Sequence, residues 1–207
     1  MNATHAQRQT HRSVIETESR ALFGASTALR PLLLSFPVTG RLLCMNIKDA
    51  LLTEYDHEVG TTRKLLERVP EAQLGWKPHH KSMSIGGLAT HLANIPMWAG
   101  ALLNQSELDL AAAPPNLEEK KSRAVILEAF DASTRQARGW MDKADAEYQA
   151  PWTLKRGGQT MFSVPRVAAF RSFVLNHMIH HRGQLSVYLR MLDVPVPSIY
   201  GPSADEG

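Results

Sequence analysis

Four stretches of this chain place apolar residues every three or four positions, and that period constrains the fold more than any other feature. The first begins at Ile47. Ile47, Leu51, Tyr55, Glu58, Thr62, Leu65 and Val69 share one face of a helix that ends before Pro70. After a connection containing Trp76 and Pro78, a second helix starts near Ser84, a good N-cap residue. It carries Ile85, Leu88, His91, Leu92, Ile95, Trp98 and Leu102, and Pro96 predicts a kink within it. A third runs from Leu117 to Lys143, with Ala124, Leu127, Phe130, Thr134, Ala137 and Met141 on one side. A fourth opens around Pro165, a favoured first-turn residue. Its stripe is Phe170, Val174, His177, His181, Leu185, Tyr188 and Leu192, and Pro195 and Pro197 stop it.

Four long amphipathic helices predict an all-α fold, a four-helix bundle. Residues 104–117 read as a polar loop around Pro114 and Pro115. Between the third and fourth helices, Trp152 to Phe162 alternates on either side of Gly157-Gly158, which predicts a small β-hairpin. The tail from Ser198 to Gly207 reads as irregular.

Residues 1–44 follow no such pattern. Of the 23 basic residues five lie there, and of the 20 acidic residues two, which leaves 18 of each in the remainder. The basic pI of 9.1 therefore belongs to this leader. Its arginine-rich, acid-poor character resembles a transit peptide, but it lacks the long apolar run of a secretory signal. The preferred reading is a disordered leader or a misassigned start, since Met45 runs straight into the first helix. The domain is then 45–207. A charge-neutral body argues against nucleic acid as a partner. No apolar run approaches the ~20 residues that cross a membrane, and mean hydropathy is −0.24. The lone cysteine, Cys44, excludes an internal disulfide and any zinc site with two cysteine ligands.

Chemistry concentrates in the histidines. His177 and His181 are four residues apart, so their rings project from one side of a helix, the spacing that offers two imidazoles to one metal ion. They are in phase with Phe170, Val174 and Leu185, which predicts that they face the bundle interior. His91, on the inward stripe of the second helix, is the third candidate ligand. Three imidazoles leave a tetrahedral ion one open position, as catalytic sites do. The competing reading of each is a core histidine hydrogen-bonded to its neighbours. His180 lies about 100° around the helix from His181 and reads as a boundary residue. His79 and His80 read as loop residues and His57 as exposed, while His5 and His11 carry no argument. Glu58 is a charge on an apolar stripe. It reads either as a carboxylate that orients a ligand histidine or acts as a base, or as the partner of an arginine such as Arg171 or Arg182. The arginine partner, or a place at the edge of the buried stripe, is the preferred reading.

With His91 and the run Asn176-His-Met-Ile-His-His-Arg-Gly-Gln-Leu-Ser-Val-Tyr-Leu-Arg190 in place, the chain resembles the DinB superfamily. This is the damage-inducible, metal-binding four-helix-bundle family, distinct from the polymerase of the same name. The resemblance covers about Met45 to Glu206 and extends to Trp76-Lys-Pro-His79, Leu88-Ala-Thr-His91-Leu and the tail from Val194. It implies a DinB-type bundle with a divalent metal, zinc or nickel, on His91, His177 and His181. It also implies a homodimer. Some relatives are transferases or isomerases that use a low-molecular-weight thiol.

Three functions follow as expectations. The first is a metal-dependent thiol S-transferase acting on a small-molecule substrate. The second is a metal-dependent hydrolase with Glu58 as base. The third is a non-catalytic metal-binding protein of the stress response. A cytoplasmic location accompanies all three.

Overall fold

The computed structural model describes residues 45–112 and 118–206. The leader, His5, His11, Leu117 and the Pro114-Pro115 pair lie outside the described residues.

The first predicted helix is α1 (Ile47–Leu66). Asn46 caps it, accepting the Asp49 N–H at 2.8 Å. Leu51, Tyr55, Glu58, Thr62 and Leu65 are buried as the stripe requires. The second is α2 (Ile85–Asn94), with Ser84 accepting the Gly87 N–H at 2.9 Å. Pro96 breaks it into a 3₁₀ turn, Ile95–Met97, before α3 (Trp98–Asn104) continues the rod. The third is α4 (Arg123–Trp140). It is shorter than the sequence suggests, because the Ser122 side chain accepts the Val125 N–H and starts the helix there. Residues 118–122 are irregular, and Ala124 is exposed. A short α5 (Asp145–Gln149) follows.

The predicted hairpin is present as β2 (Pro151–Arg156) and β3 (Gln159–Pro165), antiparallel, with Gly157 and Gly158 at φ 59° and 80°. Positive φ at both turn positions suits glycine and matches the twist of the strands. The region read as a loop supplies a further strand, β1 (Glu107–Asp109), which pairs parallel to β2 with Glu107 opposite Thr153. Its tie to the hairpin is Asp109, whose carboxylate accepts the N–H groups of Gly157 at 2.8 Å and Gly158 at 2.6 Å. Three residues are too few for periodicity to register. Trp152 is fully buried, its indole N–H donating to the Ala101 carbonyl at 3.1 Å, which fastens the sheet to α3.

The fourth rod differs most from the prediction. Pro165 precedes α6 (Arg166–Phe170); a π-helical turn, Arg171–Asn176, comes next, and α7 (His177–Met191) completes it. A π turn holds one residue more than an α turn, so everything after it is rephased by about one position. On α7 the buried residues are Met178, Arg182, Leu185 and Leu189, while His177, His181 and Tyr188 are only half-buried. The two histidines therefore flank the core instead of facing it.

The tail is irregular but tied down. Arg190 pairs with Asp205 through two nitrogens, at 3.0 and 2.5 Å, and the Val196 N–H donates to the same carboxylate at 2.8 Å. These donors hold the Asp205 carboxyl at a pKa of about 2, below its ordinary value. A depressed carboxyl stabilises the docked tail fully above about pH 4 and ceases to as pH falls through about 2. Asp205→Asn is expected to loosen the tail at neutral pH, read as faster amide exchange at residues 196–206 with α1 unchanged. Equal protection in variant and wild type would count against the tie.

Candidate metal centre

α2 and α7 lie side by side and bring three imidazoles together. Nε2 of His91 is 3.2 Å from Nε2 of His177, and Nε2 of His181 is 2.9 Å from the same atom. One donor atom from each lies within 4.8 Å of the others, the arrangement a shared ion needs. Two donors about 2.1 Å from one tetrahedral ion stand about 3.4 Å apart, close to the observed spacing.

The other ring nitrogens decide what these contacts are. Nδ1 of His181 is 2.7 Å from the Gln184 side-chain carbonyl oxygen, which can only accept. On this assignment from the hydrogen-bond network, the His181 proton sits on Nδ1 and its Nε2 carries a lone pair. That lone pair faces Nε2 of His177, 2.9 Å away. Three imidazole nitrogens at the spacing of ligands to one ion form a donor set that fits a divalent cation. Burial lowers the His91 pKa to about 4, helped by the nearby His181 and His177. Burial also lowers His177 and His181. All three are neutral at pH 7, as ligands must be. All three are also only half-buried, so the cluster keeps contact with solvent.

Among the described residues the other histidines do not join the cluster. His57, His79, His80 and His180 are exposed; the His57 ring stacks 6.3 Å from Tyr200, and His180 lies beside His181 at the boundary.

Glu58 is 5% exposed and pairs with Arg182, 1% exposed, at 2.5 Å. Arg171 pairs instead with Glu54. The Tyr200 hydroxyl donates to the Glu58 carboxylate at 2.9 Å and accepts from Arg182 at 2.6 Å. The same Arg182 donates to the Glu58 main-chain carbonyl at 3.2 Å. Glu58 is thus the buried partner of an arginine, and among the described residues no hydrogen bond joins it to the three histidines. The rephasing by the π turn puts Arg182 on the buried face, so arginine and glutamate are buried together.

Sequence reasoning missed Gln184 and Tyr200. Gln184 had a signal, a polar group three residues after His181 on the same side of the helix. Tyr200 had none, because the tail has no period.

A bundle of four rods with a three-histidine cluster on the seam between two of them defines a helical protein with a candidate metal centre. The DinB family model matches residues 45–207, and the chain belongs to the DinB family. An uncharacterised protein of Bacillus subtilis (strain 168), YrdA, is 22% identical over 158 residues, covering 76% of this chain and 90% of its own. Two solved structures share the fold, each at 18% identity. A DinB-like protein from Bacillus cereus ATCC 10987 has a TM-score of 0.57, covering 73% of this chain and 97% of its own. The DinB-like YjoA of Bacillus subtilis has a TM-score of 0.54, covering 70% and 96%. Among the described residues no helix is long and apolar enough to cross a membrane.

Proposed function

We propose that this protein is a divalent-metal-dependent thiol S-transferase whose ion, zinc or nickel, is held by His91, His177 and His181. The observation that carries the reading is the convergence of three imidazole Nε2 atoms, with His177 3.2 Å from His91 and 2.9 Å from His181, at the spacing of donors to one ion. A divalent ion bound there supplies the positive charge that lets a low-molecular-weight thiol lose its proton at neutral pH.

The chain's own groups do the rest. Gln184 fixes the His181 imidazole in the liganding tautomer. Burial keeps all three rings unprotonated. The rings are only half-buried, so the thiol can approach from solvent. Transfer breaks the S–H bond, forms a bond from sulfur to an electrophilic carbon and releases a leaving group, and the proton passes to solvent. It requires no base from the chain, and the carboxylate that a hydrolase would have used is engaged by Arg182 and Tyr200. A cytoplasmic homodimer acting on a small reactive electrophile in a stress response completes the reading.

The test is elemental analysis of untagged protein, then turnover of an alkylating electrophile with and without added thiol. About one ion per chain and strictly thiol-dependent turnover are expected. A chain that binds no divalent ion after reconstitution would overturn the metal reading. Equal turnover without thiol would make it a hydrolase.

A further inference from the structure

Beside the histidines lies an aromatic cluster that the metal centre does not use. The Phe173 ring stacks on Trp98 with centroids 6.1 Å apart and planes 20° apart. It stacks on Phe162 at 6.3 Å and 13°. Behind them the fully buried Trp152 lies 5.8 Å from Phe173 and holds that ring in place. Phe173 and Trp98 are half-buried and Phe162 is 38% exposed, so part of the cluster faces solvent. Three elements distant in sequence supply it: α3, β3 and the π turn.

Its position relative to the histidines gives it a meaning. Phe173 precedes His177 by about one turn along the same rod. Trp98 follows His91 by seven residues, about two helical turns. His91 meets His177 and Trp98 meets Phe173, so numbers rise along one rod as they fall along the other. The rings therefore continue the same α2–α7 seam on which the imidazoles sit, about one to two turns (roughly 5–11 Å) away. A molecule with its reacting atom at the histidines would reach the rings with a group of ordinary size.

The geometry points to an acceptor subsite: Trp98, Phe162 and Phe173 bind the planar apolar part, aromatic or conjugated, of the electrophile that receives the thiol. This rests on the transferase reading above and names its substrate class. Aromatic rings that keep part of their surface in solvent favour an aromatic partner, which gains offset-stacked or edge-to-face contacts with them that a branched aliphatic group of the same size cannot make. In the reaction such a ring bears the carbon that sulfur attacks and the leaving group that departs as an anion. The rings themselves bind and orient and make no covalent bond.

The probe is 1,3-dinitrobenzene, planar and without a leaving group, titrated by calorimetry into metal-loaded and metal-free full-length protein. Phe162→Ala lies on an exposed strand position, and Phe173→Leu keeps apolar volume while losing the flat ring. Each is expected to weaken binding about five- to tenfold, while Trp140→Phe, outside this cluster, leaves it unchanged. Metal content is measured on the same samples and stays at the wild-type value. Variants that bind the probe as wild type does, or a wild type that does not bind it, would overturn the subsite even where metal and thiol-dependent turnover hold. Ring-dependent binding in a protein that takes up no ion would retain the aromatic site and remove the transferase reading instead.

Discussion

His177→Ala is expected to abolish stoichiometric metal binding while leaving the helices intact. His177 is the residue to change because its Nε2 touches both other imidazoles, at 3.2 and 2.9 Å. Losing an outer hydrogen-bond partner of a ligand costs about 10- to 100-fold in metal affinity. Losing the central ligand costs more than that, so dialysed His177→Ala should hold almost no ion where the wild type holds about one. The effect also reads out as stability. An ion present at a hundred times its Kd stabilises the folded chain by about 2.7 kcal/mol. For a body of this size that raises Tm by about 5–11 °C. The wild type should show this rise on adding zinc or nickel and lose it to a chelator, and His177→Ala should show neither. Gln184→Ala, which only frees the His181 ring, should fall between them. Equal metal content in wild type and His177→Ala, with matching far-ultraviolet circular dichroism, would defeat the assignment.

Arg182→Met should be the most destabilising of the single substitutions considered. Arg182 and Glu58 are both buried, and methionine would leave the glutamate carboxylate in the core without its cation. Breaking a buried ion pair from one side costs about 3–5 kcal/mol. The Tyr200 hydroxyl can still donate to Glu58, and that bond limits the loss without cancelling it. Removing both charges together, as Glu58→Leu with Arg182→Met, should recover much of the stability, because no unpaired ion then remains. Tyr200→Phe removes one hydrogen-bonding hydroxyl from the group and should cost about 1–3 kcal/mol. Urea unfolding of the three variants gives the comparison directly. A loss under 1 kcal/mol for Arg182→Met, or a double variant as unstable as Arg182→Met alone, would show that the pair does not carry this weight.

How far the sequence reaches depends on the range of the interaction that decides each feature. The bundle is legible because a period of 3.6 is written into residues such as Leu51, Tyr55 and Leu65, or Phe130, Thr134 and Ala137, which are buried as read. The starts at Asn46 and Ser84 and the break at Pro96 are equally local, set by a cap or a missing N–H. The hairpin is local too, since Gly157 and Gly158 alone allow its turn. β1 is the opposite case, because its partners lie more than 40 residues away and its own three residues carry no pattern.

The candidate site divides along the same line. The spacing of His177 and His181, and His91 on the second stripe, follow from helix geometry alone, whereas the meeting of the three imidazoles depends on α2 packing beside α7. The depth of those histidines does not. Past the π turn at Arg171–Asn176 the buried positions are Met178 and Arg182 in place of His177 and His181, while Leu185 stays buried as read. The shift opens the histidines toward solvent and buries an arginine that then needs Glu58. Helical periodicity assumes an unbroken α-helix and cannot register one extra residue in a turn. By itself the sequence determined which side chains repeat on which helix and which imidazoles could share an ion. Only the packing of α7 against α1 and α2 decided which of them were buried, because phase along a helix is local whereas burial depends on what lies across from it.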